Sequence, residues 1–118
     1  YRNALDRYTL EIPAGKLDDI SEETSVCAAR ELEEETGYKP GKLEFLMTLC
    51  TWVAFTNEKI DVYVATDLIP AKQNLDEDEF IDVKAYSVDD LKEKIFKGEL
   101  QDAKTISAIL AYDTKYRK

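Results

Sequence analysis

One stretch of this chain constrains its fold more than any other: from Thr24 to Thr36 the residues favour a helix, and Gly37 stops it. Thr24 or Ser25 is the expected N-cap. Lys39-Pro40-Gly41-Lys42 then makes a turn, and Leu43 to Val53 and Lys59 to Thr66 are rich in aliphatic, aromatic and β-branched residues. Two strands are expected there, joined near Thr56-Asn57. Upstream, Thr9 to Ile12 has a short strand pattern that Pro13-Ala14-Gly15 ends, because proline supplies no ladder donor.

Downstream, Asp67 to Glu79 carries Pro70, Asn74 and the run Asp76-Glu77-Asp78-Glu79, which reads as a loop, and Phe80 to Tyr86 alternates as a strand. Ser87-Val88-Asp89-Asp90 opens a helix that runs to about Lys97 and ends at Gly98. A last amphipathic helix is expected from Asp102 to about Tyr116, with Ala103, Ile106, Ile109 and Leu110 inward. The expected class is α/β: a mixed sheet with helices on both faces, in a single domain over residues 1–118.

Charge narrows the chemistry. The 118 residues hold 25 Asp+Glu against 16 Lys+Arg and no His, a formal net charge of −9. Such a chain repels DNA, RNA and anionic lipid, so neither nucleic acid nor membrane is an expected partner. Without histidine, imidazole bases and His-containing zinc sites are excluded, and carboxylates remain as acids, bases and hard-metal ligands. Cys27 and Cys50 form no CxxC pair and lie in segments that read as buried, which suits reduced core thiols and a cytoplasmic location. No apolar run approaches the ~20 residues of a membrane span.

At 100° per residue, Glu31, Glu34 and Glu35 fall on one narrow face of the first helix. A solvated helix tolerates such a face, since like charges at these spacings cost only about 0.2–0.5 kcal/mol per pair. The alternative is a hard divalent cation held by the carboxylates together with a loop carbonyl.

The run Arg30-Glu31-Leu32-Glu33-Glu34-Glu35-Thr36-Gly37-Tyr38, with Gly15 and Glu22 before it, resembles the signature box of the Nudix hydrolases, G-x5-E-x7-R-E-U-x-E-E-x-G-U, where U is a bulky aliphatic or aromatic residue. The second half matches at every specified position, whereas Gly15 and Glu22 enclose six residues instead of five. Leu10 to Leu17, Leu75 to Glu79 and Asp102-Ala103-Lys104-Thr105 are similar to the ADP-ribose pyrophosphatase branch.

That resemblance implies an α/β/α sandwich and Mg2+-dependent hydrolysis, with Mn2+ as a substitute, of ADP-ribose or a related nucleoside diphosphate derivative. It implies that Glu31, Glu34 and Glu35 hold the metal with the Ala14 carbonyl and Glu22, while Arg30 orients the glutamates. A glutamate of the acidic loop would activate the water, Glu77 aligning best and Glu79 next. Arg2 aligns with an arginine that contacts substrate phosphate, and Glu58 with a glutamate lining the pocket; the plain alternatives are a surface arginine and a hairpin glutamate. Trp52, Phe55 and Tyr63 offer faces for adenine, although strand aromatics are usually core.

Two departures accompany the resemblance. Val53 stands where the branch carries a marker proline, which leaves the metal chemistry intact and loosens the assignment to ADP-ribose. The chain starts at Tyr1, just before the strand entering the box, so strands of the sheet are expected upstream in a longer, homodimeric protein. The competing reading is a non-catalytic acidic metal-binding or interaction module on the same fold. A Ca2+ loop at Asp76 to Glu79 lacks the spaced ligands of an EF-hand.

Overall fold

The computed structural model describes residues 12, 23–53, 56–75 and 81–117, with only the backbone of 51–53 and 56–58. The chain divides into two compact units, residues 13–78 and residues 1–12 with 79–118. Each is described by itself.

In the unit of residues 13–78, helix α1 spans Thr24–Thr36, as the residue pattern predicts. It is followed by the short strand β1 (Tyr38–Lys39), the long strands β2 (Lys42–Val53) and β3 (Thr56–Thr66), and β4 (Ile69–Pro70). β2 and β3 form an antiparallel hairpin in register from Lys42↔Thr66 to Val53↔Thr56. Thr56 and Asn57 therefore already lie in β3, upstream of the strand start expected from composition; ladder pairing extends the strand through polar residues that propensity alone leaves out.

The register shifts between Phe45 and Met47, leaving Leu46 as the extra residue of a bulge. A one-residue insertion inverts the alternation, so the face that carries Phe45 before the bulge carries Thr48 and Cys50 after it. Val62, opposite Met47, is buried on the other face. Cys27 is buried and Cys50 is exposed, and neither forms a disulfide, so the expectation of two core thiols holds for Cys27 and fails for Cys50.

β1 pairs antiparallel with β4 through Tyr38↔Pro70 and Lys39↔Ile69. The segment expected to be wholly loop from Asp67 thus begins with a two-residue ladder, in which Pro70 takes the edge position open to it. Gly41 makes the bend from β1 into β2 and donates its N–H to the Thr66 carbonyl at 3.1 Å. A Cβ there would collide with the Asp67 carbonyl oxygen. Gly41→Ala is expected to destabilise the protein by about 1–3 kcal/mol through this overpacking, read as a lower midpoint in urea denaturation with an unchanged slope.

In the second unit, α2 spans Val88–Phe96 and α3 spans Ala103–Tyr116. Ser87 caps α2, its hydroxyl accepting from the Asp90 N–H at 3.1 Å, and Lys92 bonds Asp113 of α3 at 2.8 Å. Residues 81–86, expected as a strand, have no ladder and are exposed. Period-two alternation becomes a strand only when a neighbour supplies hydrogen bonds, and no described residue does so here.

The inward face of α3 also differs from expectation. Thr105, Ala108 and Ile109 are buried, whereas Ala103 and Leu110 are exposed and Ile106 is half-buried. The expectation thus holds for Ile109, and it missed that the polar Thr105, only 2% exposed, is held inward by its hydrogen bonds. Among the described residues no helix is long and apolar enough to cross a membrane.

Candidate active site

The start of α1 is held in a way the sequence did not suggest. Glu23 is the N-cap, in extended conformation and without a side-chain cap bond, in place of Thr24 or Ser25. The Thr24 hydroxyl donates instead to Asp61 Oδ2 of β3 at 2.7 Å. Because that commits its one proton, the Tyr63 hydroxyl, also at 2.7 Å, donates to Thr24 Oγ1. Thr48 of β2 donates to the other Asp61 oxygen at 2.7 Å. Tyr63 packs edge-on against Phe45, with ring centroids 5.7 Å apart.

Hydrogen bonds from Thr24 and then Thr48 hold the Asp61 carboxyl below its usual value of 3.8. A carboxylate whose folded pKa is depressed contributes stability above its unfolded pKa and loses it as pH falls through the folded one. The melting temperature of the wild type should therefore drop as the pH is lowered below about 4, and in Asp61→Asn by less. Thermal melts across pH 2–6 check this; equal acid sensitivity in both proteins would show that Asp61 contributes nothing to it.

Further along α1, Arg30 carries the central contacts. Its Nη1 reaches Glu31 Oε1 at 2.7 Å and Glu34 Oε2 at 3.5 Å, and its Nη2 reaches the buried Cys27 Sγ at 3.6 Å. The planar guanidinium thus sits between two carboxylates of the acidic face and reduces their mutual repulsion. Side-chain exposures of 23% for Arg30 and 16% for Glu31 place this pair away from bulk screening.

The end of α1 is fastened by a segment to which sequence reasoning gave no role. Gly37 is left-handed, with φ 80°, and returns its N–H to the Glu33 carbonyl at 2.9 Å. Beyond β4, Ala71 N–H bonds the Gly37 carbonyl at 2.7 Å, and Asn74 N–H bonds the Glu34 carbonyl at 2.8 Å. The Gln73 side-chain amide donates to the Glu35 carbonyl at 2.6 Å. The backbone carbonyls of Glu34 and Glu35 are thereby capped by the segment that leads into Asp76 to Glu79. A Cβ at Gly37 would lie 3.3 Å from Gln73 N, so this position serves both the helix stop and the close approach of the chain. Asn74 was legible only as a loop residue, and Gln73 left no signal.

The structure thus brings Arg30, Glu31 and Glu34 together, and ties the last turn, with Glu35, to Gln73 and Asn74. Ala14, Glu22, Arg2, Glu77 and Glu79 lie outside the described residues. Glu58 pairs with Thr51 in the hairpin, and its side chain lies outside them too, as do those of Trp52 and Phe55. As a donor set, three glutamates on one helix offer only hard oxygen atoms, which suits Mg2+ or Mn2+. Among the described residues no three carboxylate or thiol side chains already converge on one point.

A sequence model of the family described as NUDIX domain matches residues 2–109. The chain belongs to the NUDIX domain family. This Nudix chain is 42% identical over 112 residues to a protein named methanol dehydrogenase activator from Bacillus methanolicus, and 41% identical over 111 residues to one named ADP-ribose pyrophosphatase from Bacillus subtilis. Each alignment covers 92% of the chain and 60% of the relative. A protein named ADP-ribose pyrophosphatase from Mycobacterium tuberculosis is 31% identical over 94% of the chain and 55% of its own length. The chain thus spans about 60% of the length of the first of these relatives. A crystal structure of an ADP compounds hydrolase aligns over the whole chain and 65% of its own, with a TM-score of 0.84 at 24% identity. That likeness shows the α/β Nudix fold.

Proposed function

We propose that this Nudix chain is the catalytic part of a divalent-metal-dependent pyrophosphohydrolase that cleaves ADP-ribose, or a related nucleoside diphosphate derivative, to AMP and a sugar phosphate. The observation that carries the reading is the Arg30 guanidinium set between Glu31 and Glu34 within the R-E-x-x-E-E-x-G run. Relatives named ADP-ribose pyrophosphatase support the substrate class.

Mg2+ or Mn2+, when bound, would neutralise the phosphoanhydride oxygens and lower the pKa of a bound water. Glu31, Glu34 and Glu35 would hold it with Glu22 and the Ala14 carbonyl. Arg30 keeps Glu31 and Glu34 from swinging away, because its fork fixes their rotamers. Glu77, or Glu79, takes a proton from the attacking water as its oxygen bonds to phosphorus. The bond from phosphorus to the bridging oxygen then breaks, and the electron pair leaves on the departing phosphate. Arg2 steadies substrate phosphate, and Glu58 lines the pocket. The chain is one domain over residues 1–118 that acts in the cytoplasm on a small molecule, without nucleic acid or membrane, and the intact protein is a homodimer.

A second reading, an interaction module that keeps the carboxylate helix without turnover, draws support from the relative named methanol dehydrogenase activator. Incubating the folded protein with Mg2+ and a panel of nucleoside diphosphate sugars and dinucleotides separates the two. Release of AMP from ADP-ribose is the expected result. Turnover of another member would correct the substrate, and no turnover of any would leave the interaction module.

A further inference from the structure

Helix α1 ends with more backbone acceptors than its own chain serves. The Gly37 N–H goes to the Glu33 carbonyl, and the Tyr38 N–H, which an unbroken helix would send to Glu34, goes instead to the Thr36 hydroxyl at 3.2 Å. That hydroxyl commits its own proton to the Leu32 carbonyl, so toward Tyr38 it can only accept. The carbonyls of Glu34, Glu35 and Gly37 therefore look to donors outside the helix.

Residues 71–74 supply these donors, from within the same compact unit. Ala71 N–H serves Gly37, Asn74 N–H serves Glu34, and the Gln73 side-chain amide serves Glu35 at 2.6 Å. The first two are backbone groups that any residue except proline would carry. The third exists only because position 73 is glutamine, and it falls on one of the three glutamates of the acidic face.

The last turn of α1 has a physical reason to fray without that bond. Glu33, Glu34 and Glu35 follow one another near the C-terminal end, where the macrodipole disfavours negative charge, and the turn holds no basic residue to offset them. Arg30 draws Glu34 toward Glu31 from one turn earlier, at the longer distance of 3.5 Å. An unwound last turn would part Glu34 and Glu35 from Glu31, which lies deeper in the helix. The Gln73 bond is itself exposed, so its loss is a local event and leaves the global fold in place. Taking Glu31, Glu34 and Glu35 as the metal ligands of the reading above, on which this inference rests, we propose that Gln73 is a positioning residue. By holding the Glu35 carbonyl it keeps the last turn wound, so that Glu34 and Glu35 stay in one array with Glu31 for the divalent cation.

The test is Gln73→Met, which keeps the length of the side chain and removes its donors. In the intact protein without substrate, Mn2+ binding followed by electron paramagnetic resonance should weaken about tenfold or more, the effect typical of groups that orient metal ligands. Amide hydrogen exchange over residues 33–37 of the metal-free protein should quicken, while the melting temperature stays close to that of the wild type. In turnover, the apparent Mg2+ requirement should rise, and saturating Mg2+ should recover most of the rate. Faster exchange with wild-type Mn2+ affinity would make Gln73 a helix cap alone and overturn the proposal, as would a variant that fails to fold. A wild type that binds no Mn2+ and turns over no substrate would overturn it together with the reading of the site. Unchanged Mn2+ binding in Gln73→Met beside an active wild type removes only the role of Gln73.

Discussion

Glu35→Gln is expected to lower turnover by at least about a hundredfold while leaving the melting temperature unchanged or slightly raised. Even groups that merely orient metal ligands are worth about 10–100-fold in affinity or rate, so a ligand itself should exceed that range. The substitution keeps the size of the side chain and removes one of three like charges on the face, relieving repulsion of about 0.2–0.5 kcal/mol per pair. The backbone carbonyl of Glu35, which accepts from Gln73 at 2.6 Å, is untouched, so the last turn of α1 keeps its clamp. Mg2+ titration of activity and thermal melts of both proteins check the two halves. Unfolding of the variant, with metal-independent turnover in the wild type, would place Glu35 in the structure rather than the chemistry.

Glu77→Gln should cost about 10²–10⁴-fold in kcat, the usual span for a general base, and leave metal affinity nearly as it was. The two variants thus separate by metal dependence: added Mg2+ rescues part of the Glu35→Gln defect and none of the Glu77→Gln defect. A carboxylate base must be ionised to accept a proton, so the wild-type rate falls as pH drops through its pKa, and that limb should vanish in Glu77→Gln. If Glu79→Gln alone shows this behaviour, the base is Glu79. The link to structure runs through Gln73 and Asn74. They tie the chain entering Asp76 to Glu79 onto the backbone carbonyls of Glu35 and Glu34.

What could be read from the sequence was what local chemistry decides. The bounds of α1 follow from thirteen residues of suitable propensity ended by a glycine that adopts φ 80°. Ser87 and Asp102 cap α2 and α3 because their short oxygen side chains can reach N–H groups three residues on. The shared face of Glu31, Glu34 and Glu35 is likewise a matter of helical spacing, and the signature run, whose resemblance implied the place of Arg30 beside them, was visible in the sequence itself. These features need no partner distant in the chain.

Features set by distant partners were misjudged or missed. Phe80 to Tyr86 alternates like a strand, but alternation does not create the ladder, and 81–86 form none with any described residue. Thr24 is chemically a good N-cap, yet its hydroxyl turns to Asp61 because β3 places a carboxylate within 2.7 Å. Cys50 reads as core by its neighbours, and the bulge at Leu46 sets the alternation that puts it outside. Gln73 and Thr105 are ordinary residues in sequence. Their meaning lies in the Glu35 carbonyl and the Ile12 amide, 38 and 93 residues away, and hydrogen bonds across such separations are chosen by how the chain closes on itself rather than by any residue's own preference. The carboxylates of the candidate site were thus declared by the sequence, while Gln73 and Asn74, which hold the backbone of the last turn of α1, were decided only by the tertiary structure.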